Sequence, residues 1–413
     1  MASVQVLTFG CRLNFVESEA MRRAALAAGR TDLLIVNSCG VTAEAVRQTR
    51  QAIRRAKREN PKTSIIVTGC AAEIDPSLFT VMPEVFQVLG NSAKANPTAW
   101  LTASNDSDTS LLPWDPAPPP VLNEGLEDHT RAFLAVQTGC DHRCTFCVIP
   151  FGRGPSRSVP MEQILAAAGR LTDKGFKEIV LTGVDLTSYG TDLPERPRLG
   201  TLVKAILREA RGLARMRLSS IDCIEADADL LSAFAEEPRL MPYLHLSLQS
   251  GDDLILKRMK RRHLRAEAIR FCADLRRLRP NIVFGADLIA GFPTESDDMF
   301  QNSLALIKDC GLTHLHIFPF SARPGTPAAR MPQVAAQTVK HRAARLREAG
   351  MMAFRAHLEA QKGKRLCVLS ERDGTGRSED FTRVRLGPVS ASRLMEVEIA
   401  GHTGTMLEAR NPT

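Results

Sequence analysis

Three runs of this chain share one layout. VQVLTFGC, DLLIVNSC and SIIVTGC are apolar and β-branched, each ends in a cysteine, and each leads into a helix-length stretch. Such runs predict three consecutive βα units. Crossovers within one sheet are right-handed, which makes these strands parallel. Parallel strands share a carboxyl edge, and open α/β sheets bind their ligands in the crevice there. Cys11, Cys39 and Cys70 are therefore expected to converge although they are far apart in sequence. A lone free cysteine is usually a small buried hydrophobe. Three at the same position of successive units point to a shared site.

A second trio lies in GCDHRCTFCVIP, where Cys140, Cys144 and Cys147 follow the spacing C-x3-C-x2-C. That spacing places three thiolates on one loop, enough for three irons of a cubane cluster with the fourth left open. Structural zinc is the rival for this loop, but it wants four ligands in paired C-x2-C units, and no second pair or H-x3-H follows nearby. Both trios are read as iron-sulfur ligands, and Cys223, Cys272, Cys310 and Cys367, which lack paired spacing, as core residues. Cluster ligands must stay reduced, and neither a signal segment nor an apolar run of membrane-spanning length is seen. A cytoplasmic protein with no membrane partner is expected.

From Arg131 onward the pattern strand, loop, helix repeats six times: RAFLAVQ, KEIVLTGVD, MRLSSID, YLHLSLQS, NIVFGADLIAG and HLHIFPFS. Six βα units make an open, partial version of the eightfold barrel. Polar residues gather where these strands end: Gln137, Asp185, Ser219, Ser220, Gln249, Ser250, Asp287 and Ser321. Barrel enzymes place their chemistry at that face, so the loop of the second trio and the polar ring should face each other. After about Gln361 short alternating runs set off by Gly, Asp and Ser indicate a small all-β module. The fold class is thus α/β: an open parallel α/β domain over 1–112, a proline-rich linker over 113–128, a partial (β/α)6 barrel over 129–358 and a small β-barrel over 359–413.

A formal net charge of +8 suggests a polyanionic partner. The charge is concentrated in Lys257, Arg258, Lys260, Arg261, Arg262 and Arg265, and again in Arg47, Arg50, Arg54, Arg55, Lys57 and Arg58. A phosphate-tracking surface and solvated helix faces both produce such runs.

GCDHRCTFCVIPFGRGPSRS resembles the cluster loop of radical S-adenosylmethionine (SAM) enzymes in its methylthiotransferase version, including the aromatic Phe146 before the last cysteine. In that family the open iron chelates SAM, and one electron yields a 5′-deoxyadenosyl radical. TGVDLTSYG resembles the segment near the SAM amino group, which makes Gly183 and Asp185 cofactor-binding candidates. DLIAGFPTE resembles the segment against the adenine, with Gly291 at the close approach. Ser219 and Gln249, at strand ends, complete that candidate set. FPFSARPGTPAARMP is similar to a stretch characteristic of methylthiotransferases, with Arg323 and Pro324 at the substrate mouth. The last segment, with Lys362, Lys364, Arg365, Arg377, Arg383 and Arg385, resembles the RNA-binding TRAM module, an OB-like barrel. Interleaved Glu371, Asp373, Glu379 and Asp380 leave a plain packing domain open.

The resemblance implies two [4Fe-4S] clusters and SAM. Cys140, Cys144 and Cys147 would hold the radical-generating cluster, and Cys11, Cys39 and Cys70 an auxiliary cluster that delivers sulfur. It implies installation of a methylthio group on tRNA at the anticodon loop, with an electron donor, a sulfur source and a monomeric enzyme. Three substrates compete: adenosine 37 bearing threonylcarbamoyl, the same position bearing isopentenyl, and an aspartate of a ribosomal protein. GCRLNFVESEAM, VNSCGVTAEAVRQTRQ, GRGPSRS and TGVDLTSYG lean to the first. Its carboxylate calls for an unpaired cation in the pocket, and Arg153 and Arg157 are candidates. A non-catalytic RNA-binding protein whose cysteines hold zinc is the rival of another class.

Overall fold

Strands β1 (Val4–Thr8), β2 (Leu33–Ser38), β3 (Ser64–Gly69) and β4 (Gln87–Val88) pair in that order, all parallel. Every residue of β2 is buried, as in a strand covered on both faces. Side chains alternate between the faces. Leu34, Val36, Ile65 and Val67 pack with Val46 and Ile53 of helix α2 (Ala43–Glu59). Leu33, Ile35 and Ile66 pack with Met21 and Ala25 of helix α1 (Arg12–Ala27). The Thr42 hydroxyl starts α2 by accepting the Ala45 N–H at 3.1 Å, and Val46, Thr49 and Ile53 form its buried stripe. A short helix α3 (Cys70–Ile74) follows β3 directly.

The computed structural model describes residues 4–95, 97–100 and 129–410, so the expected linker at 113–128 lies outside the described residues. Beyond it, β5 (Ala132–Ala135), β8 (Glu178–Thr182) and β9 (Arg215–Leu218) form one parallel sheet. β10 (Ser220–Ile221), β11 (Tyr243–Gln249), β12 (Val283–Ala290) and β13 (Leu312–Pro319) form another. Only Ser219 separates β9 from β10, so the two sheets are one arc of six strands, matching the six expected units. Between β5 and β8, β6 (Gln137–Thr138) and β7 (Arg157–Ser158) make an antiparallel ribbon that sequence periodicity did not announce. The ribbon brackets the loop of the second cysteine trio. Leu134, Leu181, Leu218, Leu246 and Leu288 fill the arc. Leu13 and Val16 of α1 pack on Phe133, Ala135 and Val180, so the first edge of the arc is covered by a helix of the amino-terminal sheet.

Five strands close the carboxyl-terminal barrel in the order β14 (Arg365–Ser370), β15 (Thr375–Arg377), β16 (Arg383–Arg385), β18 (Leu407–Ala409) and β17 (Leu394–His402). Leu358, Val368, Val384, Val397 and Leu407 form its core. It docks on the amino ends of the arc strands. Arg217, paired with buried Glu178 at 2.9 Å, donates to Ser378 O at 2.6 Å and Glu379 O at 2.7 Å. Arg215 donates to Cys367 O at 2.6 Å. Phe381, at φ +71°, stacks on Tyr243 with the guanidinia of Arg12, Arg131, Arg217 and Arg377 around its ring. Among the described residues no helix is long and apolar enough to cross a membrane.

Candidate iron-sulfur and cofactor site

The parallel topology brings the first trio to one edge. Cys11 caps α1, Cys39 follows β2 and Cys70 opens α3 directly after β3. The loops carrying them touch: a Cβ added at Gly10, which sits at φ +100°, would fall 2.9 Å from Cys39 Sγ. Burial pushes the Cys39 thiol up to about 11 and raises Cys11, so a metal core must displace their protons to bind.

The loop of the second trio is held from several sides. Gln137 Nε2 donates to Gly139 O at 2.9 Å and to Ser156 Oγ at 3.0 Å, while its Oε1 accepts from Val184 N at 3.0 Å and Asp185 N at 2.9 Å. Gln137 thus ties this loop to the TGVD segment. A side chain at Gly183 would collide with Gln137 Oε1, which is the close approach that glycine permits. Asp185 lies 3.7 Å from Cys140 Sγ and accepts from Ser188 Oγ at 2.6 Å. It also pairs with His142 Nε2 at 2.8 Å. Bonds to Asp185 and then Glu225 push the His142 pKa up to about 9. Arg261 reaches Cys144 Sγ at 3.8 Å while paired with buried Asp222 at 2.7 Å. Burial pushes the Cys147 thiol up to about 11.

The donor spacing bears on the metal. Among the described residues, neither cysteine trio forms a set whose donor atoms all lie within 4.8 Å of one another. A tetrahedral zinc ion with Zn–S near 2.3 Å requires donors roughly 4 Å apart. Thiolates of a multi-iron core sit on different irons and need no such closeness, whereas the set at this loop that does lie within 4.8 Å is Cys140 with His142 and Asp185.

The two trios share a wall. Six residues after Cys147, Arg153 turns back and its Nε donates to Cys70 Sγ at 3.2 Å. Its other nitrogens bind Glu17, one at 3.0 Å, and Asn14 Oδ1. Lys94 Nζ completes the group on Glu17 at 2.7 Å. A Cβ at Gly152 would fall 3.3 Å from Cys70 Cβ. A cavity of about 210 Å³ opens between the loop after Cys39 and the carboxyl ends of β11 to β13, lined by Val41, Phe146, Gln249, Asp287, Phe318 and Ser321. Phe146 packs edge to face on Phe292 at 6.4 Å. Asp287 is held by His245 at 2.9 Å and His316 at 3.1 Å.

Four predicted residues, Phe146, Gln249, Asp287 and Ser321, therefore meet in the cavity. Gly291 faces the last long helix, where a side chain would fall 2.6 Å from Val339, and its N–H donates to Glu295 at 2.9 Å. Ser219 Oγ is buried without a partner, and Ser250 bonds to the Asp252 N–H at 3.2 Å. Arg153 corrects an expectation: it is buried and paired with Glu17, so it is not the unpaired cation sought for a substrate carboxylate. Arg157 sits in the β6–β7 ribbon and donates to Ser156 O at 3.4 Å. Arg323 is 9% exposed, and its Nε is buried without a partner. The basic stretch at 257–265 is also corrected. Arg261 and Arg262 pair with Asp222, and Arg265 pairs with Asp309, so these arginines do not form a free strip. In the carboxyl-terminal barrel Arg383 pairs with Asp373, and Arg385 with Glu408 at 3.3 Å. Sequence reasoning missed His142, Glu17 and Glu295, and read Arg261 only as part of a basic stretch. His142 alone carried a local signal, lying inside the cysteine loop.

Two family models match the chain: the radical SAM superfamily over 134–307 and uncharacterized protein family UPF0004 over 3–90. The chain is 44% identical to threonylcarbamoyladenosine tRNA methylthiotransferase MtaB of Rickettsia prowazekii, over 96% of this chain and 94% of that one. It is 37% identical to the protein of that name from Thermotoga maritima, over 80% and 77%. It is 34% identical to tRNA-2-methylthio-N(6)-dimethylallyladenosine synthase of Cereibacter sphaeroides, over 89% and 87%. Among solved structures, the radical SAM methyltransferase TsrM from Kitasatospora setae superposes with a TM-score of 0.57 at 14% identity, covering 76% of this chain and 69% of that one. At that identity the likeness is one of fold.

Proposed function

Since this chain belongs to the threonylcarbamoyladenosine tRNA methylthiotransferase family, we infer that it is a radical SAM enzyme converting N6-threonylcarbamoyladenosine at position 37 of tRNA to its 2-methylthio derivative. The carbon that receives sulfur carries a hydrogen no acid or base could remove. Cys140, Cys144 and Cys147 would hold a [4Fe-4S] cluster that with SAM supplies a radical able to break that bond, Cys11, Cys39 and Cys70 would hold a second [4Fe-4S] cluster that supplies sulfur, and a further SAM would supply the methyl group. The protein's part is position and exclusion of water. Asp185, Gln137 and His142 fix the loop of the first cluster. Arg153, pinned by Glu17, holds Cys70 against that loop. Phe146, Ile289 and Phe318 give the cavity its apolar wall, and Gln249 and Asp287 provide its polar contacts.

The observation that carries the reading is the shared wall. A reaction that removes hydrogen at one centre and delivers sulfur from another needs both within reach of one carbon, and Arg153 makes the two trios neighbours. The substrate follows from the 44% identical relative, against 34% for the dimethylallyladenosine type. On this reading the enzyme grips the anticodon loop, works in the cytoplasm as a monomer, and draws on an external electron donor and sulfur source.

The test is anaerobic reconstitution with iron and sulfide, followed by incubation with SAM, reductant and tRNA carrying threonylcarbamoyladenosine. Mass analysis of the digested nucleosides should show the methylthio derivative. Deoxyadenosine without altered tRNA would keep the radical SAM class and reject the substrate, leaving isopentenyl-tRNA or the ribosomal protein.

A further inference from the structure

Arg323 is a buried cation without an answering group. It is 9% exposed, its Nε is buried without a partner, and no described residue accepts a hydrogen bond from its guanidinium. Its backbone is fixed: Arg323 O accepts from Thr326 N at 3.1 Å and from Thr326 Oγ1 at 2.8 Å. Two residues earlier, Ser321 lines the cavity, and its hydroxyl accepts the Ala43 N–H at 3.4 Å. Arg323 thus sits where the loop after β13 meets the loop after Cys39, close enough for a thiolate at Cys39 to act on it but with no hydrogen bond between them.

Arginine does not shed its proton in proteins, and a buried cation without a counter-ion is costly. Only its Nε is among the buried atoms without a partner, so the terminal nitrogens face solvent and are open to an incoming oxyanion. A cubane core on three thiolates carries one net negative charge, and the group at Cys70 already matches it: Arg153 and Lys94 against Glu17 leave one positive charge. Arg323 is in excess of that balance.

We propose that Arg323 receives an oxyanion of the RNA substrate, either the carboxylate of the threonylcarbamoyl group or the backbone phosphate beside the modified nucleotide. The proposal rests on the reading of the chain as a tRNA methylthiotransferase. The planar fork of guanidinium suits both groups in bidentate geometry. A carboxylate bound there fixes the substituent, and a phosphate fixes the nucleotide whatever the base carries.

The experiment measures binding by fluorescence anisotropy on the reconstituted full chain. The RNAs are anticodon stem-loops carrying threonylcarbamoyladenosine, its methyl ester or plain adenosine, and a set with methylphosphonate at the phosphates flanking that nucleotide. Arg323→Met, with iron and sulfide content matching wild type, should weaken binding of the modified loop roughly ten- to hundredfold. If the carboxylate is the ligand, the ester weakens wild-type binding to the same degree and the plain loop is indifferent to the variant. If the phosphate is the ligand, Arg323→Met weakens modified and plain loops alike, and one methylphosphonate reproduces the loss in wild type. Where Arg323→Met loses its clusters, the wild-type arms identify the oxyanion and a cluster-replete Arg323→Lys, expected to weaken binding in the same pattern for want of the planar fork, assigns it to Arg323. Wild-type binding that is indifferent to both the ester and the methylphosphonates overturns the proposal, as does unchanged binding by a cluster-replete Arg323→Met. Absence of methylthio product from wild type is read separately, by nucleoside mass analysis, and counts against the function, not against the contact.

Discussion

At Glu17 one carboxylate answers two buried cations, Arg153 and Lys94. Burial alone would raise its pKa, but the two cations outweigh burial and hold it at about 2. The sign follows from linkage. A depressed carboxyl contributes stability above its ordinary value of 4.5, and that contribution is lost as pH falls toward 2. Glu17→Gln should therefore destabilise the metal-free protein by about 3 kcal/mol at pH 7 in urea titrations, and by much less near pH 3. Gly139 is a second sensitive point. It sits at φ +71°, and a Cβ there would fall 1.8 Å from Pro155 O. Gly139→Ala should cost the chain its first cluster while sparing the other, so iron analysis should find about half the wild-type content. The six cysteines stand out in the sequence as candidate ligands because each sits at a fixed place in a local pattern. Glu17 was not, because the residues that give it meaning, Lys94 and Arg153, are brought to it only by the fold.

At the scale of elements, the strands were legible wherever apolar runs were long enough to show a period. The β6–β7 ribbon has two residues per strand and β15 has three, too few for any period to appear. The basic stretch at 257–265 misled for a related reason. Its counter-ions Asp222, Glu225 and Asp309 lie tens of residues away, and only the tertiary fold pairs them. Docking of the carboxyl-terminal barrel turns on Arg217, whose loss would leave Glu178 fully buried and answered by Arg215 alone at 3.9 Å. Arg217→Met should cost about 3–5 kcal/mol and raise hydrogen exchange in β14 to β16. The double variant Arg217→Met, Glu178→Gln should recover a large part of the loss. A single variant that leaves exchange unchanged would mean the barrel is held by Phe381 and its neighbours.

For the whole molecule, what matters is that Arg153, on the helix after the second trio, reaches Cys70 of the first, while residues just after Cys39 and just before Cys147 line one cavity. Topology foretold each half of that arrangement. The amino-terminal edge follows from parallel crossovers, and the second trio follows from the loop after the first strand of the arc. The contact between the halves could not be read, because it depends on α1 lying across the open edge of the arc. Separate duties predict separable defects. Cys70→Ala should retain reductive cleavage of SAM to deoxyadenosine yet form no methylthio nucleoside, whereas Cys147→Ala should lose both. Parallel loss of the two products in Cys70→Ala would mean that the trios do not act independently.

The ring of guanidinia around Phe381 has a consequence for how the protein is made. Arg12, the residue after the first cluster cysteine, lies 5.5 Å from the Phe381 ring. That ring is set by a barrel whose last strand is Leu407–Ala409. A ribosome emits the amino end first, so the Cys11 loop gains this neighbour only once Phe381 has been made and the barrel around it has closed. A substitution that unseats Phe381 should accordingly be felt at the Cys11 loop as well as within the barrel.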